Sequence, residues 1–207
     1  MNFRTSPSDS VDIQIPDLSY ATTGTWVWSN PLPVPAGQTT GHIYQDSDAN
    51  CCPASFINQL WTVWPNNSYT QDQLAHLMGT TSTGTGWANA AAAMNKIVAP
   101  NYVYTIRIMT SGADIMTELQ YQIAQFGAAM VAPTVEGLLP WVNDPANTNG
   151  HDIVVYGYNT TQNAIYCWDP YPGRGYEWVT VTDLYNALQF NNNSTTVKAM
   201  YAFAEEL

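Results

Sequence analysis

Gln45-Asp46-Ser47-Asp48-Ala49-Asn50-Cys51-Cys52-Pro53-Ala54-Ser55 is the stretch around which the rest of the chain can be read. After it, Phe56, Leu60 and Val63 fall at helical spacing, which predicts a helix from Cys51 to about Trp64 with Pro53 suited to its first turn. A cysteine in that position faces unpaired backbone N–H groups and the positive end of the helix dipole, both of which favour thiolate over thiol. Six residues earlier, Gln45 has an amide NH2 that can join the backbone N–H of Cys51 in holding the oxyanion formed when a carbonyl is attacked.

Such a nucleophile needs a base. The three histidines are His42, His76 and His151, and only the last opens an apolar, β-branched run, Gly150-His151-Asp152-Ile153-Val154-Val155-Tyr156-Gly157. This run reads as a strand. Eighteen residues on, Ile165-Tyr166-Cys167-Trp168-Asp169-Pro170 is a second strand ending in a carboxylate. Asp169 can hold the His151 imidazole in the tautomer whose other nitrogen takes a proton from sulfur. His76 lies within a short predicted helix and reads as a surface or packing residue.

The order Gln45, Cys51-Cys52-Pro53-Ala54-Ser55, Gly150-His151, Asp169-Pro170 resembles the papain-like cysteine peptidases. It is most similar to the branch of bacterial peptidases that trim double-glycine leaders from bacteriocins. The resemblance runs over roughly residues 42 to 203 and includes Gly79-Thr80-Thr81-Ser82-Thr83-Gly84 and Ala93-Met94-Asn95. It implies Cys51 as nucleophile, His151 as base, Asp169 as orienter and Gln45 as oxyanion donor, with cleavage after small residues such as Gly-Gly. It also implies the two-part fold in which a nucleophile helix faces the base strand across a groove. That branch usually has Cys-Gly-Pro-Ala-Ser, so Cys52 stands where a glycine is expected. Consecutive helical residues are about 100° apart, so only one of the two thiols can face His151, and a strained disulfide between them is conceivable chemistry. The same apparatus could serve acyl transfer or amidation, and a silent peptide-binding module is the alternative from outside enzymology.

Composition excludes several other classes. A net charge of -11 with five Lys and Arg leaves no basic surface for tracking phosphates, so nucleic acid is not an expected partner. The acidity favours neutral or basic peptides. Charged residues make up only 10% of the chain, yet 45% apolar residues, with 8 Trp and 13 Tyr, suffice for a packed core. No apolar run is long enough to span a bilayer. The start Met1-Asn2-Phe3-Arg4 lacks the apolar region of a signal peptide, and a secreted, processed form is the expectation. Three cysteines without Cys-x-x-Cys or a histidine cluster suggest no zinc site and no other cofactor. The Thr/Gly loop of residues 79–86 lacks the lysine and preceding strand of a phosphate-binding loop.

The predicted organisation is an N-terminal extension over residues 1–41 and one domain over residues 42–207. The extension holds prolines, turns and the β-like Trp26-Val27-Trp28. Within the domain, Thr70-x-x-Gln73 reads as a capping box for a helix ending at Gly79, and an alanine-rich helix spans Trp87 to Val98. Tyr102–Ile108 reads as a strand, and Ser111 and Gly127 bound a further helix. Ala128–Val135 is then a buried strand. Residues 136–149, with Trp141, form a loop that becomes a cleft wall if His151 faces Cys51. Strands near 151–158, 164–168, 177–181 and 197–203, with a helix from about Thr182, complete an α+β, papain-like fold in which an N-terminal helical part packs on a mainly antiparallel C-terminal sheet.

Overall fold

The structure, a computed structural model, describes residues 25–30, 41–192 and 195–205. A seven-stranded sheet forms its framework, in the order β2 (Val103–Ile108), β9 (Ala199–Ala204), β3 (Met130–Val135), β4 (Gly150–Asn159), β5 (Ala164–Asp169) and β6 (Gly175–Thr180). A short β1 (Val27–Trp28) pairs with the C-terminal end of β4, and every pairing in the sheet is antiparallel. The α+β architecture expected from the sequence is the one observed.

The two-residue period of a strand decides what each face meets. On β9, Met200 and Ala202 point to a core shared with α4 (Gly112–Phe126) and α5 (Val181–Ala187). Tyr201 and Phe203 point the other way, into a core with α1 (Cys51–Val63), α2 (Gln71–Met78) and α3 (Trp87–Val98). The sheet is thus covered on both faces, whereas the sequence suggested a single helical part. In β4, Ile153 and Val155 belong to the α4–α5 side and Val154 and Tyr156 to the opposite one. The same alternation sends His151 and Asp152 to different sides.

Local signals set the helix ends. Thr70 and Gln73 close a capping box at the start of α2, and Gly79 ends it in the left-handed region at φ 64°. The Asp114 carboxylate accepts the backbone N–H groups of Thr110 and Ser111 ahead of α4, and Gly127 ends that helix at φ 63°. α1 is buried nearly all round, as befits a helix lying in the middle of a core. Two elements were not expected: a 3₁₀ turn at Glu136–Leu138, and a hairpin of β7 (Phe190–Asn192) with β8 (Thr195–Val197). Most of the extension, residues 1–24 and 31–40, lies outside the described residues. Its Trp28 packs over Gly157 in β4, where the indole occupies the place a β-carbon would take. No helix among the described residues is long and apolar enough to cross a membrane.

Candidate active site

Of the four residues singled out in the sequence, Gln45, Cys51 and His151 line one cleft of about 550 Å³, and Asp169 is buried against His151. Each is delivered by a different element. Cys51 opens α1, and Ser55 one turn later donates from Oγ to the Asp152 carbonyl at 2.8 Å, which ties the helix to the first residues of β4. His151 lies near the start of β4, opposite Thr134 of β3, whose Oγ1 donates to the His151 carbonyl at 2.8 Å. Asp169 ends β5 and is fully buried.

The loop before Cys51 is held at several points. Asn58 acts like a strand neighbour for Ile43, accepting its N–H at 2.9 Å and donating to its carbonyl at 3.1 Å. Trp168 Nε1 donates to the same carbonyl at 3.1 Å. Gln45 N–H donates to the Pro170 carbonyl at 2.8 Å, so the glutamine and Asp169 share an anchor. Gln45 is 5% exposed, and its Nε2 donates one hydrogen to the Ser47 carbonyl at 2.9 Å. The second amide hydrogen stays available, while Oε1 has no partner among the described residues.

His151 Nε2 lies 2.7 Å from Asp169 Oδ1, and the ring also shares a side-chain hydrogen bond with Cys51. Burial opposes a charge on this imidazole, but the hydrogen bonds to Asp169 and Cys51 and their negative charges outweigh it and raise the His151 pKa to about 10. Burial likewise opposes the Asp169 charge, yet bonds from His151, the Tyr171 N–H and Trp141 hold this carboxyl below its ordinary value. The arrangement stabilises an imidazolium against the Asp169 carboxylate. Chemically it can exchange a proton with a thiol and return one to a leaving group. Among the described residues no three His, Cys, Asp or Glu side chains gather as a metal site.

Comparison with known proteins supplies the family. The family described as "Peptidase C39 like family" matches residues 36–197, most of the chain. The chain belongs to that family. It is accordingly a papain-like cysteine peptidase, a hydrolase of peptide bonds. Solved structures share the fold of this C39-like chain at low identity. A protein from Bacillus anthracis described as a C39-like peptidase is 14% identical with a TM-score of 0.60, over 87% of this chain and 98% of that one. The peptidase domain of Streptococcus ComA, a bifunctional ABC transporter of a quorum-sensing pathway, is 16% identical with a TM-score of 0.53, over 79% and 97%. A double-glycine-motif protease from an AMS/PCAT transporter, solved with its leader peptide, is 13% identical with a TM-score of 0.51, over 87% and 99%. No curated protein matches the chain.

Three contributors in this C39-like site were not visible in the sequence. Trp141 Nε1 donates to Asp169 Oδ2 at 2.8 Å, and Arg174 Nη1 reaches the same oxygen at 3.3 Å. Arg174 Nη2 also pairs with Glu136 at 2.6 Å, and its guanidinium lies 4.3 Å over the Tyr171 ring. The wall of residues 136–149 is therefore fastened to the Asp169 carboxylate at both Glu136 and Trp141, and a polar tryptophan edge beside a predicted catalytic strand was the available clue. A hydrogen bond to a charged group is worth about 1.5–3 kcal/mol. Trp141→Phe, which keeps the ring and removes the donor, is expected to lower kcat/KM about tenfold with KM little changed. Unaltered kinetics in a variant with the wild-type Tm would leave Trp141 a packing residue only.

Proposed function

We propose that Cys51, His151, Asp169 and Gln45 carry out thiol-dependent hydrolysis of peptide bonds. The observation that carries this reading is the continuous chain Cys51–His151–Asp169 along the cleft. In the first half-reaction the Cys51 thiolate attacks the scissile carbonyl carbon, forming the S–C bond. The oxyanion takes hydrogen bonds from the Cys51 N–H and the free hydrogen of Gln45 Nε2. Collapse breaks the C–N bond as His151 gives its proton to the departing amine, leaving a thioester. In the second half-reaction water loses a proton to His151, attacks the thioester carbonyl and releases the carboxylic acid, restoring the thiolate–imidazolium pair. Asp169 keeps the ring oriented throughout and favours its charged form whenever it holds the proton.

The substrate class follows from charge. Besides His151, Arg174 lines the cleft as a cation and is engaged by Glu136 and Asp169, while Asp48 and Glu136 add negative charge to the same walls. Neutral or basic segments of an extended peptide suit such a cleft better than acidic ones. The family resemblance adds small residues, such as Gly-Gly, before the cut.

Digestion of a diverse peptide library followed by mass spectrometry tests the proposal. New free carboxyl termini are expected, and their rate of appearance is expected to fall as pH rises through about 10, where His151 gives up its proton. Products capped by an added amine would instead establish acyl transfer, and an intact library would overturn catalysis. The same shifts bear on stability. The raised His151 pKa contributes fully below 6.5 and is lost toward 10, whereas the lowered Asp169 pKa contributes above 3.8 and is lost in stronger acid.

A further inference from the structure

Asp152 is a carboxyl group that the proposed chemistry leaves unused, although it follows the catalytic histidine directly. It is 3% exposed, and its Oδ1 has no hydrogen-bond partner among the described residues. A lone buried carboxylate oxygen is unfavourable, so its retention calls for a reason. Asp152 meets Cys52, the residue that occupies the expected glycine position. The Cys52 thiol hydrogen-bonds both the Asp152 carboxyl and the Thr85 hydroxyl and is 1% exposed. Burial, followed by the charges of Asp152 and Cys51, pushes the Cys52 pKa well up and keeps it a thiol, hence a donor. Cys52 thus has a partner, and the partner lies one residue from the base.

We propose that Asp152, anchored by Cys52, is a positioning residue that fixes the first turn of α1 against β4 and supplies a second negative charge favouring the His151 imidazolium. The titratable groups that interact with it are Cys52 from α1, His151 on its own strand, Tyr104 from β2 and Tyr201 from β9. Of these only His151 can carry positive charge. Burial raises the Asp152 pKa to about 7, against the pull of His151 and the Cys52 hydrogen bond, so this second charge is switched across neutrality. Above that pH the imidazolium has the Asp169 carboxylate as its hydrogen-bond partner and the Asp152 charge acting from the other side of the strand. Below it Asp169 acts alone.

The proposal rests on the Cys51–His151 assignment, and its test keeps the two apart. Alkylation of Cys51 by iodoacetamide and kcat/KM on one cleaved peptide are followed against pH in the whole chain. Wild type is expected to label selectively at Cys51 and to show an inflection near pH 7. Asp152→Asn is expected to lose that inflection and to move the alkaline limb of kcat/KM down by about one pH unit, as removal of a neighbouring charge does. Cys52→Ser, which keeps a donor, should retain the inflection. Cys52→Ala, which removes it, should push the inflection upward, and this arm decides the matter if Asp152→Asn does not fold. Selective Cys51 labelling with profiles unchanged in Asp152→Asn, or in Cys52→Ala, overturns the role of Asp152 alone. No selective labelling of wild-type Cys51 overturns the Cys51–His151 reading and this proposal with it.

Discussion

Cys51→Ser is expected to remain folded and to lose about 10⁴-fold or more in kcat/KM, the range seen when a covalent nucleophile is removed. The substitution is nearly isosteric, and the first turn of α1 keeps its shape. What disappears is the sulfur nucleophile, and a serine hydroxyl is a far weaker nucleophile at the same place. Cys52→Ser is expected to retain most activity at the optimum. Cys51 lines the cleft, whereas Cys52 is turned into the core and held protonated by burial. Both are free thiols, so no bond between them complicates the comparison. Steady-state kinetics on a single cleaved peptide give the answer. A dead Cys52→Ser beside an active Cys51→Ser would shift the motif by one residue and require every role around it to be redrawn.

Gln45→Ala is expected to reduce kcat by about 10²-fold or more, the usual loss for one oxyanion donor. Single-turnover measurement should place the loss in the chemical step. The fold should tolerate the change, since the loop is held by Asn58, Trp168 and the backbone contact to Pro170, none of which involves the Gln45 side chain. The side chain itself is only partly satisfied: Nε2 has its Ser47 partner and Oε1 none among the described residues. A group with a hydrogen still to donate is suited to an acceptor that arises only during reaction. Unchanged single-turnover rates would mean that the oxyanion is held elsewhere.

The features legible in the sequence are those whose cause is local. Thr70 with Gln73, the glycines at 79 and 127, and the apolar, β-branched run of β4 act within a few residues of themselves, and their elements lie where the pattern puts them. Gln45, Cys51, His151 and Asp169 could be singled out because each has a recognisable chemistry at an element boundary or in the loop leading to one. The missed residues act at a distance. Trp141 and Asp169 are 28 positions apart, and Glu136 and Arg174 are 38 apart; nothing in either segment names the other. Asp152 was in plain view, as a charged residue one place into an apolar run, but only the packing of α1 shows that it turns inward onto Cys52. The two-sided coverage of the sheet was missed because it depends on where the chain crosses, which periodicity alone leaves open.

The separation of Cys51 on α1 from His151 on β4 sets an order of events during synthesis. The chain is made from its N-terminus, so the thiol leaves the ribosome 100 residues ahead of its base and 118 ahead of Asp169. At about 5–20 residues per second, that is about 5–20 s in which Cys51 exists without His151. On the roles proposed above, the thiol lacks its base until β4 and β5 have joined the sheet, so a reactive Cys51 is expected to report completion of the fold.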